Sequence, residues 1–190
     1  SLTSMQLIEE FMIQANVAAA ETLEDRRTPL IYRVHDEPAK EKLAALADYL
    51  ATVGISFSKG QVVRSSHFNR ILERVASGPN ALTINEVILR SQSQAIYDND
   101  NRGHFGLNLR RYAHFTSPIR RYADLVVHRG LIRALGLGKD GLSEAEMGRL
   151  GMTAETISAH ERRSMAAERD SVDRYLAAYM KDRVGAEFQA

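Results

Sequence analysis

YAHFTSPIRRYADLVVHR (Tyr112–Arg129), following GHFGL at Gly103–Leu107, is the stretch around which the rest of the chain can be ordered. Ser117 and Pro118 read as a helix start, with serine as N-cap and proline at the first helical position. That helix is expected to reach Leu135 and to stop at Gly136 and Gly138. Just upstream, His104–Leu109 and Tyr112–Thr116 read as two short strands joined tightly. Arg120 and Arg121 then fall in the first turns of the helix, where unpaired N–H groups attract phosphate and guanidinium groups add bidentate donors. Arg120, Asp124 and His128 follow at four-residue steps and so share one helix face, with Asp124 placed to hold either neighbour. The commoner role of such a row is a surface ion pair of little energetic worth.

The surrounding window sharpens the electrostatic reading. Between Arg102 and Arg133 lie Arg102, Arg110, Arg111, Arg120, Arg121, Arg129 and Arg133 against one acid, Asp124. The net charge of the whole chain is only +1, so the pattern suggests a focused anion site and not a generally basic surface. Phe105, Tyr112, Phe115 and Tyr122 alternate with His104, His114 and the arginines. Aromatic faces beside guanidinium groups suit stacked single-stranded bases, although the two phenylalanines are more simply read as core. The histidines lack the short spacing of metal ligands, and hydrogen bonding or phosphate contact is the expected role.

Working outward, Leu7, Ile8, Phe11, Met12, Ala15, Ala18 and Ala19 recur at helical spacing and predict a helix over Met5–Glu24 with one buried stripe. Leu30–Val34 reads as a strand. Pro38 suits the first position of a helix to Thr52 that stops at Gly54, and a third helix is expected over about His67–Ala76. Thr83 with Glu86 reads as a capping box opening a helix to about Tyr97, with a polar loop over Asp98–Gly103. Asp98 and Asp100 match part of a calcium loop, but Arg102 and Leu109 occupy positions that need oxygen ligands, leaving turn chemistry. Ser143 with Glu146 opens a long helical region to about Val184, with Gly148 and Gly151 as weak points. The class is α+β, helix-rich, with a few short strands.

Composition bounds the rest. With 44% hydrophobic and 26% charged residues the chain reads as globular and not disordered. No apolar run approaches membrane length, no signal-peptide pattern opens the chain, and zero cysteines exclude a thiolate metal site or a cysteine nucleophile. A cytoplasmic location is the expectation. On the first helix, Glu9 falls beside Asn16 at the edge of the apolar stripe, and Glu10 falls on the opposite edge. Glu9 with Asn16 is thereby placed to meet a ribose hydroxyl or a metal-bound water. An ordinary solvated carboxylate is the commoner case, and Glu168 on the last helix has the same ambiguity.

LIEEFMIQAN (Leu7–Asn16), IYRVHDEP (Ile31–Pro38), AIYDNDNRGHFGL (Ala95–Leu107), the Tyr112–Arg129 stretch and AERDSVDRYL (Ala167–Leu176) occur in an order that resembles the ribonuclease II superfamily. Within it, the resemblance is to the C-terminal part of the RNB-type catalytic domain of the ribonuclease R branch, and it covers essentially all 190 residues. The resemblance implies processive 3′-to-5′ hydrolysis of single-stranded RNA to nucleoside 5′-monophosphates, with Mg2+ held by aspartates outside this chain. It implies that Arg120 grips the phosphate near the scissile bond and that a glutamate of the Glu9–Glu10 pair contacts the terminal nucleotides. Helix geometry favours Glu9 and leaves Glu10 open. It matches Glu168 to a glutamate that tunes RNA binding, a position where the ribonuclease R branch can carry another residue type.

Together, Arg120 and Glu9 are the expected catalytic side chains. Glu10, Asn16, His104, Phe105, His114, Ser117, Arg121, Tyr122, His128 and Glu168 are the expected RNA contacts. The chain is expected to be one part of a single catalytic domain, residues 1–190, lacking the aspartate-bearing half and the flanking barrels, and so inactive alone. The apolar face left uncovered is the expected surface for association. The alternative is a non-catalytic RNA-binding relative that retains the phosphate clamp.

Overall fold

Two three-residue strands form the only sheet among the described residues, and the helices are arranged around it. The structure is a computed structural model and describes residues 2–57 and 63–186. In order, the elements are α1 (Leu2–Asp25), β1 (Tyr32–Val34), α2 (Lys40–Thr52), α3 (Ser65–Val75), α4 (Ala81–Ser91), β2 (Ile96–Asp98), α5 (Tyr122–Leu135), α6 (Glu144–Met147) and α7 (Leu150–Lys181). β1 and β2 pair antiparallel, with Tyr32 opposite Asp98 and Val34 opposite Ile96. The helix-rich α+β class expected from the sequence is the one observed.

Three apolar clusters hold these elements. Ala19, Ala20 and Leu23 of α1 pack with Tyr32, Val34, Ala113 and Val127. A second cluster, including Leu46, Leu50, Phe68, Ile71, Ile84 and Ile88, closes α2, α3 and α4 on one another, with Phe105 packed against it. The third joins Ile31 and Tyr97 to Ala123, Val126, Leu150 and Ala154. Ser158 of α7 accepts the Tyr97 N–H at 2.9 Å, tying the long helix to β2.

Several sequence expectations change. α1 does not bury one continuous stripe: Asn16, Ala19, Ala20 and Leu23 are buried, while Leu7, Ile8, Phe11 and Met12 are exposed, because no described element packs on the helix's first half. α2 starts at Lys40, with extended Ala39 as N-cap, so Pro38 precedes the helix. α4 starts at Ala81 from Asn80, and Glu86 pairs with Arg90 at 2.5 Å in place of a capping box. That helix also stops at Ser91, since β-favouring Ile96 and Tyr97 find strand partners in β1.

The two strands expected around GHFGL are reduced to isolated bridges, His35 with His104 and His104 with Leu109. Their backbone bonds are shared out instead: His35 N–H donates to Gly103, Phe105 N–H to His35, and Arg33 N–H to Tyr112. α5 begins at Tyr122 and not at Pro118. Ser117–Arg120 forms a separate turn in which the Arg120 and Arg121 N–H groups both reach the Ser117 carbonyl at 3.2 Å. The stop at Gly136, in the left-handed region at φ 65°, and the Ser143–Glu146 capping box are as read from sequence.

Candidate functional site

Residues 115–121 form a strap between the core and α5, and three buried or half-buried side chains pin it. Asn16 accepts the N–H groups of Phe115 and Thr116 through Oδ1, at 2.9 and 3.2 Å, and donates from Nδ2 to the Tyr112 hydroxyl at 2.9 Å. His128 Nε2 donates to the Phe115 carbonyl at 2.8 Å, with its ring stacked on Phe115 at 4.3 Å between centroids. Asp124, 0% exposed, accepts Ser117 N–H at 2.7 Å and both Nε (2.7 Å) and Nη2 (2.9 Å) of Arg121.

The four-step row expected on one helix face therefore does not form. Arg120 lies outside the helix, and the partner of Asp124 is Arg121. Burial pushes the Asp124 carboxyl up, but the Arg121 bonds, the Ser117 N–H and the adjacent positive charge outweigh it and hold the group below its ordinary range. The strap ends pinned in this way leave Ile119, 97% exposed, and Arg120 facing solvent.

The arginine window is largely neutralised from elsewhere in the chain. Arg102 binds Asp36 and Asp98, Arg111 binds Glu24, Arg129 binds Glu146, and Arg133 binds Glu144. Arg121 is held by Asp124. Only the side chains of Arg110 and Arg120 in this window have no hydrogen bond or ion pair among the described residues, and both are exposed. The single-acid window expected to be one focused anion site thus reduces to two free cations, because sequence proximity misses acids brought in by folding.

Six of the twelve expected site residues line clefts, divided among three, and Arg120, His114, Ser117 and His128 line none of these. Glu9, Asn16 and Arg121 line one of about 600 Å3 with Tyr112, Thr116 and apolar side chains of α1; Glu10 does not line it. His104 and Phe105 line a second, about 960 Å3, beside Arg64 and Arg110. Tyr122 lines a third, about 510 Å3, against α7. Glu168 is exposed on α7 and lines none of the three.

His114 and His104 act as uncharged hydrogen-bonding groups. Burial and the nearby Arg121 and Arg33 push His114 down to about 3, and it meets the Tyr97 hydroxyl through Nδ1 at 2.9 Å. Burial, His35 and Arg33 push His104 down to about 4, and its Nδ1 accepts the Leu107 N–H at 3.2 Å. His35, which is not among the expected site residues, organises the GHFGL turn. Its Nε2 donates to the Ser93 carbonyl at 2.8 Å and its Nδ1 accepts the Gly106 N–H at 2.9 Å. A Cβ on Gly106 would stand 2.8 Å from that Nδ1, so only glycine fits this approach. Among the described residues no three His, Cys, Asp or Glu side chains gather to hold a metal.

The RNB domain model matches residues 1–136, ending at the cap of α5. Ribonuclease R of Escherichia coli (strain K12) is 39% identical over 200 residues, covering 97% of this chain and 24% of that protein. The chain thus spans about a quarter of the length of the curated relatives it matches. Mycoplasma genitalium RNase R in complex with ribose-methylated single-stranded RNA superposes with a TM-score of 0.82 at 30% identity, over 93% of this chain and 28% of that one. Yeast Ssd1, described as a pseudonuclease, superposes with a TM-score of 0.67 at 25% identity, over 79% of this chain and 19% of that one.

Proposed function

As the chain belongs to the RNB domain family, we propose that it is the phosphate-holding part of a 3′-to-5′ exoribonuclease whose whole protein hydrolyses single-stranded RNA processively to nucleoside 5′-monophosphates. The observation that carries this reading is Arg120, an exposed cation without an intramolecular partner among the described residues, on a strap pinned by Asn16, His128 and Asp124. A guanidinium held in that way can meet negative charge as it develops on a phosphoryl oxygen. Glu9, in the cleft it shares with Arg121 and Tyr112, is the proposed contact to the terminal ribose. The hydrolytic water and its magnesium belong to carboxylates outside this chain, so the chain alone is inactive. A cytoplasmic location fits an RNA-degrading role, and no helix among the described residues is long and apolar enough to cross a membrane.

In the full-length protein, a 5′-labelled single-stranded RNA with Mg2+ should shorten from its 3′ end to mononucleotides. Replacing Arg120 by alanine should lower kcat about 10²–10³-fold, as for other transition-state donors. Overall RNA affinity should change only a few-fold, because one phosphate contact is a small part of a multi-contact channel. An endonucleolytic ladder, or unchanged turnover in Arg120→Ala, would sink the proposal. The likeness to Ssd1 favours one second reading, a non-catalytic RNA-binding relative that keeps the clamp. In that case RNA is bound and no mononucleotide is released.

A further inference from the structure

We infer that Asp124 is the positioning residue that sets Arg120 for phosphate, acting through Arg121 and the Ser117 backbone without touching RNA itself. The inference rests on the role proposed for Arg120. Asp124 is the only buried carboxylate among the described residues. Its Oδ1 takes the Ser117 N–H and Arg121 Nη2, and its Oδ2 takes Arg121 Nε. Those two residues are the ends of the turn that carries Arg120. The turn is closed again from within, by the Arg120 and Arg121 N–H groups on the Ser117 carbonyl.

A buried charge costs several kcal/mol to desolvate unless it is paired and hydrogen-bonded. Here a single carboxylate satisfies both ends of one five-residue loop. A surface row of charges would need none of this burial. The arrangement fixes the backbone at Arg120 while its side chain stays unpaired, as preorganisation of a transition-state donor requires. Arg121 contributes a second consequence. With Nε and Nη2 bound to Asp124, its Nη1 has no partner among the described residues, and the residue lines the cleft of Glu9.

The test is a double-mutant cycle in the full-length protein, reading kcat and RNA Kd on a 5′-labelled single strand. Asp124→Asn keeps the shape and removes the charge. It should lower kcat about 10–100-fold with Kd changed less than about threefold, and in an Arg120→Ala background it should lower kcat by less than about twofold further. An Asp124→Asn effect that persists undiminished in the Arg120→Ala background would show a merely structural role and overturn the inference, as would wild-type turnover in Asp124→Asn. Circular dichroism checks that the variant folds. If it does not, Arg121→Lys, which keeps Asp124 but loses the two-bond clamp, carries the same cycle with the same opposing outcomes. Wild-type turnover in Arg120→Ala alone would remove the proposed function's clamp and this inference with it. A slow Arg120→Ala beside a normal Asp124→Asn removes only the inference.

Discussion

His114 and Tyr97 show how much of this region depends on groups staying uncharged. The tyrosine hydroxyl meets His114 Nδ1 at 2.9 Å, Arg33 lies 4.6 Å above the Tyr97 ring, and Arg33 in turn binds Glu161 at 2.6 Å. Protonating His114 would place a third positive charge close to those of Arg33 and Arg121. His104 is under the same constraint from Arg33 and His35. Both histidines are depressed in the folded state, so the unfolded chain takes up protons that the folded chain refuses. Their contribution to stability is complete above the ordinary histidine value of 6.5 and is lost as pH falls toward about 3 for His114 and about 4 for His104. Between about pH 6.5 and 5, where carboxylates remain ionised, the unfolding free energy should fall by up to about 1.4 kcal/mol per pH unit for each histidine. Urea unfolding across that window measures it, and a His104→Asn, His114→Gln variant should flatten the slope. An unaltered slope would show that neither ring carries the effect.

At the scale of elements, α1 divides into two halves of different energetic standing. Leu23 is fully buried, and a Cβ on Gly130 of α5 would stand 3.4 Å from its Cδ2, an approach that lets α1 and α5 lie close. Leu23→Ala should cost about 2–5 kcal/mol of stability. Phe11, an equally apolar residue three turns earlier but 63% exposed, should tolerate serine within about 0.5 kcal/mol. Thermal unfolding of the two variants compares them directly, and equal losses would contradict the division. The periodicity of the sequence could not separate these halves, because it reports which face is apolar and not whether anything covers it. The same limit explains the other departures. The cap signal at Ser143–Glu146 is local and formed as read, and so is the stop at Gly136. Ser117–Pro118 carried an equally good local signal and lost to a buried carboxylate seven residues on. Ile96–Asp98 became a strand because β1, more than 60 residues earlier in the chain, supplied its partner. Helix phase put Glu9 beside Asn16, and the two do share a cleft, whereas Arg120 was singled out through family likeness and lies on the exposed turn outside that cleft. The pairing of Arg121 with Asp124 and the role of His35 needed the folded chain.

For the whole molecule, folding redistributes charge that the sequence concentrates. Seven arginines stand in one window of a chain whose net charge is +1. Five of them meet carboxylates, three of those through acids downstream of the arginine and the others through Glu24, Asp36 or Asp98 upstream. A polyanion therefore meets two free guanidinium groups from this window, Arg110 and Arg120. The salt dependence of RNA binding separates the two pictures, since each phosphate contact on a single strand adds about 0.7 to the magnitude of the slope of log K against log salt. Measured by fluorescence anisotropy on the 190-residue chain with a single-stranded oligonucleotide, Arg110→Ala with Arg120→Ala should reduce that slope by about 1.4. Arg129→Ala with Arg133→Ala should leave the slope essentially unchanged and lower stability instead, because those side chains join α5 to α6 and its preceding loop. Using differences between variants removes the contribution of basic residues elsewhere, such as Arg64 beside the GHFGL turn. Equal reductions from both pairs would mean that the paired arginines exchange their carboxylates for phosphate. The window would then act as one anion site after all.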